Sequence, residues 1–312
     1  MASVLYAVFV GPFKDMASSP SFLIEVLLGG IATGLMYSLV ALGFVLIFKA
    51  SGVFNFAQGV MVLFAALTLV GLMEKGVPVP IALLLTMAVM IVLAFAIERV
   101  VLRPLVNQEQ IILFMATIGL NFFLEGFGEL AWGSNVKKLD VGIPDSSFMV
   151  WGIQINRLEM TAALTAAVLV AVMAVFFQRT RIGRALRAVA DDHEAALSIG
   201  IPLNTIWIVV WSVAGLVAIV AGIMWGAKSG VQFSLSLIAL KALPVLILGG
   251  FTSVPGAIVG GLIIGVGEKI AEVYWGPLVG GAIENWFAYV LALAFLLVRP
   301  QGLFGEKIIE RV

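Results

Sequence analysis

FLIEVLLGGIATGLMYSLVALGFVLIF, residues 22–48, carries a single charge, Glu25, close to its start. A helix needs about 20 mostly apolar residues to cross roughly 30 Å of hydrocarbon at about 1.5 Å per residue. This run is longer than that, enough to tilt or to include an interfacial turn. Backbone groups find no water inside a bilayer, so the segment must satisfy its own hydrogen bonds as a helix. Runs of the same kind follow over 53–73, 79–97, 111–130, 160–177, 206–227, 231–250, 254–273 and 281–298. The run 231–250 holds Lys241 and Pro244 and fits a broken or re-entrant helix. The fold class is therefore all-α, a polytopic integral membrane helical bundle of eight or nine transmembrane helices, with residues 1–312 forming a single transmembrane domain.

Composition agrees. Of 312 residues, 62% are hydrophobic and 12% charged, against about 25% charged in a soluble globular chain. Mean hydropathy is +1.14. A soluble fold of this size has too few charged groups here to cover its surface, and a disordered or nucleic-acid-binding chain is excluded by the same numbers. Eighteen basic residues balance eighteen acidic ones, so bulk charge points to no polyanionic partner. With no Cys, disulfides, thiolate metal sites and cysteine nucleophiles are excluded; with His193 alone, so is a multi-histidine metal centre. The opening stretch, Met1 to Pro20, lacks a basic n-region and a small-residue cleavage site, so the first span is expected to act as an uncleaved insertion signal.

Loop charge sets orientation. Arg179, Arg181, Arg184 and Arg187 cluster after the fifth run, which places that loop in the cytoplasm. Alternating from there puts ten basic residues inside and six outside, with Lys241 and Lys269 within spans. Nine spans then give an external N-terminus and an internal C-terminus. Residues 131–159 form an external loop with room for a short hairpin, and 178–205 a cytoplasmic loop. In the latter a helix is expected over Arg184 to Ser198, basic at Arg184 and Arg187, acidic at Asp191, Asp192 and Glu194, stopped by Gly200 and followed by Pro202. Such a helix serves either as a docking surface or as a solvated linker.

Polar side chains inside spans cost energy, about 2.5–3.5 kcal/mol for ions on insertion scales, so each is a candidate site. Asn55 and Gln58, three apart in GVFNFAQG (52–59), read as one helical face. They either line a solute path or bond to backbone and fix packing. Thr117 and Asn121 are further candidates for the path, whereas Glu125 and Glu129 fit a water-facing helix end. Glu268 and Lys241 reduce each other's cost if they pair. Glu25 reads as interfacial, and Glu98 with Arg99 as a solvated or snorkelling boundary pair. Gly256-x3-Gly260 and Gly261-x3-Gly265 are small-xxx-small steps that let helix backbones approach.

Several of these segments carry a resemblance. Glu194-Ala195-Ala196, followed by Gly200, resembles the Glu-Ala-Ala…Gly signature of ABC-importer permeases, in which this loop is the coupling helix held by the ATPase subunit; the continuation toward Leu-Pro is matched only as Ile201-Pro202. Asn55-Phe56-Ala57-Gln58-Gly59 is similar to the Asn-Phe-Ala-(His/Gln)-Gly motif of branched-chain amino acid ABC permeases. Segments 34–43, with Tyr37, 181–188, 248–261 and the closing Arg299-Pro300-Gln301-Gly302-Leu303-Phe304-Gly305 resemble the same family in the same order. The resemblance implies a multi-pass permease of the bacterial inner membrane, surrounded by lipid and binding no nucleic acid. It would pair with a sister permease, two cytoplasmic ATPase subunits and an external substrate-binding protein. Asn55, Gln58, Tyr37, Thr117 and Asn121 would belong to the substrate path. Arg184, Arg187, Asp191, Asp192, Glu194, Ala195, Ala196 and Gly200 would couple to the ATPase, and Gly256, Gly260, Gly261 and Gly265 would pack helices. Expected cargoes are branched-chain amino acids, with urea, short amides or aromatic acids as the alternative.

The chain itself is expected to hold no cofactor. Gly222 to Ser229 superficially matches a phosphate loop, but Ala227 replaces the required second Gly and no strand precedes it, so ATP would be used by partner subunits. No catalytic constellation is legible, so an enzyme is not expected. A stand-alone secondary transporter would need a buried coupling carboxylate, for which only Glu268 qualifies.

Overall fold

The computed structural model describes residues 6, 8–105, 108–144, 146–191 and 193–305. A short α1 (Gly11–Ser18) leads into α2 (Pro20–Ser51), the longest helix at 32 residues. Then come α3 (Gln58–Glu74), α4 (Val79–Ala96) and α5 (Gln110–Trp132). A hairpin of β1 (Ser147–Val150) and β2 (Ile153–Asn156) precedes α6 (Arg157–Arg179). Two short helices follow, α7 (Arg181–Asp191) and α8 (His193–Ser198), and then α9 (Leu203–Ser229). The chain closes with α10 (Ile238–Gly249), α11 (Val254–Tyr274), α12 (Gly276–Val279) and α13 (Phe287–Val298). This is a polytopic helical membrane bundle.

Apolar helices occupy all nine expected positions. Six are long enough to cross a bilayer; Gln58–Glu74, Phe233–Gly249 and Phe287–Val298 are shorter. Burial separates an inner shell from an outer one. The most apolar window of α2 is 83% buried, whereas those of α4, α5 and α6 are 22–28% buried. Leu84, Val92, Phe122 and Leu164 accordingly stand out from the bundle, where hydrocarbon can cover them. Helix α3 is shorter because Gly52, at φ +69°, ends α2 in a left-handed cap, donating its N–H to Phe48 O, and residues 53–57 are not helical. Being buried almost throughout, α3 needs no full membrane length of its own. The seventh run is indeed broken: a 3-10 turn (Phe233–Leu237) runs into α10, which contains Pro244.

Glycine sets the central contact between α2 and α11. A Cβ on Gly34 would fall 2.6 Å from Gly261 O, and one on Gly265 would fall 2.3 Å from Gly34 N. The backbones touch, and no side chain fits between them. Gly256 and Gly260 make the corresponding approach to Gly249 and Val245 of α10. The closing segment explains why two distant motifs occur together. Leu303 N donates to Leu248 O (2.8 Å) and Phe304 N to Gly249 O (3.2 Å), so residues 299–305 cap the free carbonyls at the end of α10.

The loop over 131–159 does form a hairpin, with Ser147 opposite Asn156 and Val150 opposite Ile153. Its turn residues, Trp151 and Gly152, both have positive φ, as a two-residue turn of this hand requires. Gln154 N donates to Glu25 (2.6 Å), which ties the hairpin to the start of α2.

Two expectations need correction. The helix expected over Arg184 to Ser198 begins three residues earlier. It starts at Arg181, because Thr180 Oγ1 accepts from Gly183 N (3.0 Å) as an N-cap, and its described helical residues run over 181–191 and 193–198. Glu98 is not at a solvated boundary: it lies in a π-helical turn (Ile97–Leu102), 1% exposed, with Arg103 Nε 3.9 Å away.

Candidate functional site

Asn55 sits in the non-helical link before α3, so it does not share a helix face with Gln58. Both amides are fully buried. Asn55 Oδ1 accepts from Ala57 N (3.1 Å), and its Nδ2 faces Gln58 Oε1 at 3.5 Å and Met61 Sδ at 3.7 Å. Gln58 lies against Gly43 of α2, and its Nε2 has no partner among the described residues. Thr117 Oγ1 accepts from Phe56 N (3.0 Å) and donates to Phe114 O (2.8 Å). These three side chains therefore hold the link between α2 and α3 in place. Asn121 stands apart from them. It lines a cavity of about 210 Å³ with Phe44, Phe54, Phe56, Glu125 and Leu237.

Tyr37 belongs to a different cluster. Its hydroxyl donates to Glu268 Oε1 (3.1 Å), and Lys241 Nζ donates to the same oxygen (3.1 Å). The pair that sequence left conditional thus forms, between α10 and α11, and α2 completes it. Glu268 is 3% exposed, and its Oε2 has no partner among the described residues. The Tyr37 ring stacks on Trp225 of α9 with centroids 5.6 Å apart. Lys241 and Trp225 open onto a cavity of about 500 Å³, together with Gln232, Ser234, Leu235 and Glu284. Leu237 borders both cavities, so the apolar one and the polar one lie on either side of one side chain. The polar cavity sits at the end of α9 opposite the Arg179–Arg187 cluster, which is external by the charge rule.

Sequence reasoning missed Trp225 and Glu284. Trp225 lay in the rejected phosphate-loop match, and Glu284 lies in a turn between helices, where a carboxylate carries no penalty and hence no signal.

At the C-terminal end of α6, Arg187 does not project freely. Its guanidinium donates to Phe177 O (2.7 Å) and Gln178 O (3.4 Å), and Arg184 donates to Arg179 O (3.3 Å). Cations here satisfy the open carbonyls and the negative dipole end of α6. Gly183 packs onto Phe177, where a Cβ would fall 2.0 Å from its carbonyl oxygen, so α7 is clamped to α6. Ala196 is buried and Ala195 exposed. Gly200, at φ +84°, turns the chain out of α8, and Ile201 N donates back to Ala196 O (3.0 Å). Leu197 and Ile199 are 53% and 73% exposed at this tip. Asp192 lies outside the described residues, as do the side chains of Asp191 and Glu194. Among the described residues no group of acidic and His side chains could hold a metal ion.

Residues 26–299 match the family model described as the permease component of the branched-chain amino acid transport system. The chain belongs to this family. The branched-chain amino acid permease BraD of Pseudomonas aeruginosa is 29% identical over 93% of this chain and 98% of its own length. LivH of Escherichia coli is 26% identical over the same shares. Among solved structures, PsaBC from Streptococcus pneumoniae in complex with Fab matches 86% of this chain and 89% of that one with a TM-score of 0.45 at 12% identity. As a branched-chain amino acid permease component, this multi-pass membrane protein is a transport subunit that works with other components of its system.

Proposed function

We propose that this permease imports a branched-chain amino acid, or a closely related small solute, across a bacterial inner membrane by ATP-driven alternating access. It pairs with a sister permease and receives solute from an external binding protein. Two ATPase subunits consume the ATP, and this chain holds no cofactor. The observation that carries the ATPase-driven reading is the cytoplasmic tip. A loop bearing Glu194-Ala195-Ala196 and Gly200 exposes Leu197 and Ile199, clamped through Arg184 and Arg187 to the end of α6. An exposed apolar tip on a braced helix suits a docking subunit better than solvent. Force applied to α7 reaches the bundle through α6 without stretching a flexible linker. We assign the substrate path to the two cavities that meet at Leu237, one lined by Asn121 and the other by Lys241 with Tyr37 behind it, while Asn55, Gln58 and Thr117 brace the link between α2 and α3.

Reconstitution of the complete transporter in proteoliposomes tests this. Leucine accumulation should require ATP. Glu194→Lys and Gly200→Pro should preserve insertion but uncouple uptake from hydrolysis. Normal ATPase pull-down and normal uptake in both variants would remove the coupling role. Uptake that persists without the ATPase subunits would replace the importer by a stand-alone carrier.

A further inference from the structure

We infer that the external cavity beside Lys241 is a binding site for the zwitterionic head of an α-amino acid, with Lys241 taking the carboxylate and Glu284 the ammonium. The inference rests on the importer reading and adds the place and chemistry of cargo recognition. Lys241 Nζ spends one N–H on Glu268 and is 27% exposed, so it has two further donors facing the cavity. Glu268 stands behind the ammonium and fixes it. Glu284 lines the same cavity, and its carboxylate has no ion-pair partner among the described residues.

The turn that carries Glu284 is held from below. Glu272 accepts from Ala282 N (3.2 Å) and Glu284 N (3.0 Å), while Ala282 sits at φ +61°, a left-handed conformation that costs a non-glycine residue energy. Strain maintained by two charge-assisted bonds places one carboxylate at one position. Trp225 also lines the cavity. Leu235, Leu237 and Ile238 give one stretch of wall an apolar surface, and Ser229, Gln232, Ser234 and Asn285 add neutral polar groups elsewhere on it. A cavity of about 500 Å³ is within the size range of small-molecule sites. One cation, one anion and an aliphatic stretch of wall match a zwitterion with an apolar side chain. Urea or a simple amide would leave both charges unanswered, and a bare carboxylate would face Glu284 unneutralised.

The chain has no native Cys, so Ser234→Cys gives a single reporter on the cavity wall. In the complete transporter, without ATP or binding protein, its maleimide labelling should slow in L-leucine but not in equal L-leucinamide or 4-methylpentanoate. Glu284→Gln, and the charge-neutral double variant Lys241→Met with Glu268→Gln, should each raise the half-protecting leucine concentration about tenfold or more, as loss of a hydrogen bond to a charged group predicts. The double variant avoids stranding a buried charge. No protection by leucine, equal protection by either analogue, or unchanged protection in both variants would overturn the site. ATP-driven leucine uptake by the Cys-free parent, measured in parallel, separates the two ideas. Uptake without protection removes the site and keeps the importer, and protection without uptake does the reverse.

Discussion

Two buried polar clusters occupy the inner shell, and they behave differently because of what stands beside them. Asn55, Gln58 and Thr117 are sealed among α2, α3 and α5, and most of their bonds go to nearby backbone. Tyr37, Glu268 and Lys241 join α2 to the consecutive helices α10 and α11, 231 positions on from Tyr37 at Glu268, and one member opens onto a cavity. Amides satisfied locally hold a chain reversal. A shared carboxylate between helices couples those helices to whatever enters the cavity. Inside a membrane protein, polarity therefore marks function less reliably than polarity at a cavity edge does.

The largest expected effect follows from splitting the charged cluster. Lys241→Met takes the cationic partner from a carboxyl buried in the bundle, at a cost of about 3–5 kcal/mol for a broken buried pair. The folded yield and melting temperature of the detergent-solubilised protein should fall sharply. Adding Glu268→Gln should restore most of the loss, since Gln still accepts from Tyr37. A single variant as stable as the double one would show that the pair is not electrostatically coupled.

Next in size is the link. Asn55→Ala removes the acceptor for Ala57 N and should destabilise by about 1 kcal/mol, the usual cost of one such bond. Thr117→Val strands Phe56 N and should cost a similar amount. Uptake should decline only in proportion to folded protein. A fall in uptake at unchanged melting temperature would move Asn55 from the brace to the path, making the two clusters alike.

Much of this was legible in advance. Nine apolar runs mark nine helices, because a bilayer imposes both length and composition. Lys241 with Pro244 marks the broken segment, and the glycine steps of α11 fall where its backbone meets α2 and α10. What stayed hidden depends on contacts distant in the chain. Spacing relates Asn55 to Gln58 through a helix that Gly52 in fact ends. Nothing local relates Tyr37 to Glu268, which lie 231 positions apart. Glu284 was invisible because a carboxylate in a turn is unremarkable until folding sets it on the same cavity as a lysine.

The smallest expected effect discriminates best. Gln58 contributes a long contact to Asn55 and an amide nitrogen with no partner among the described residues. Gln58→Met keeps the length of the side chain against Gly43 and removes the unpaired donor. Replacing a poorly satisfied buried polar group by an apolar one of similar shape is nearly neutral or stabilising. Melting temperature should hold or rise, and leucine uptake should stay at the parental level. A variant that melts normally but has lost uptake would mean that Gln58 meets solute in another conformation of the cycle, and the sealed cluster would then be a gate instead of a brace.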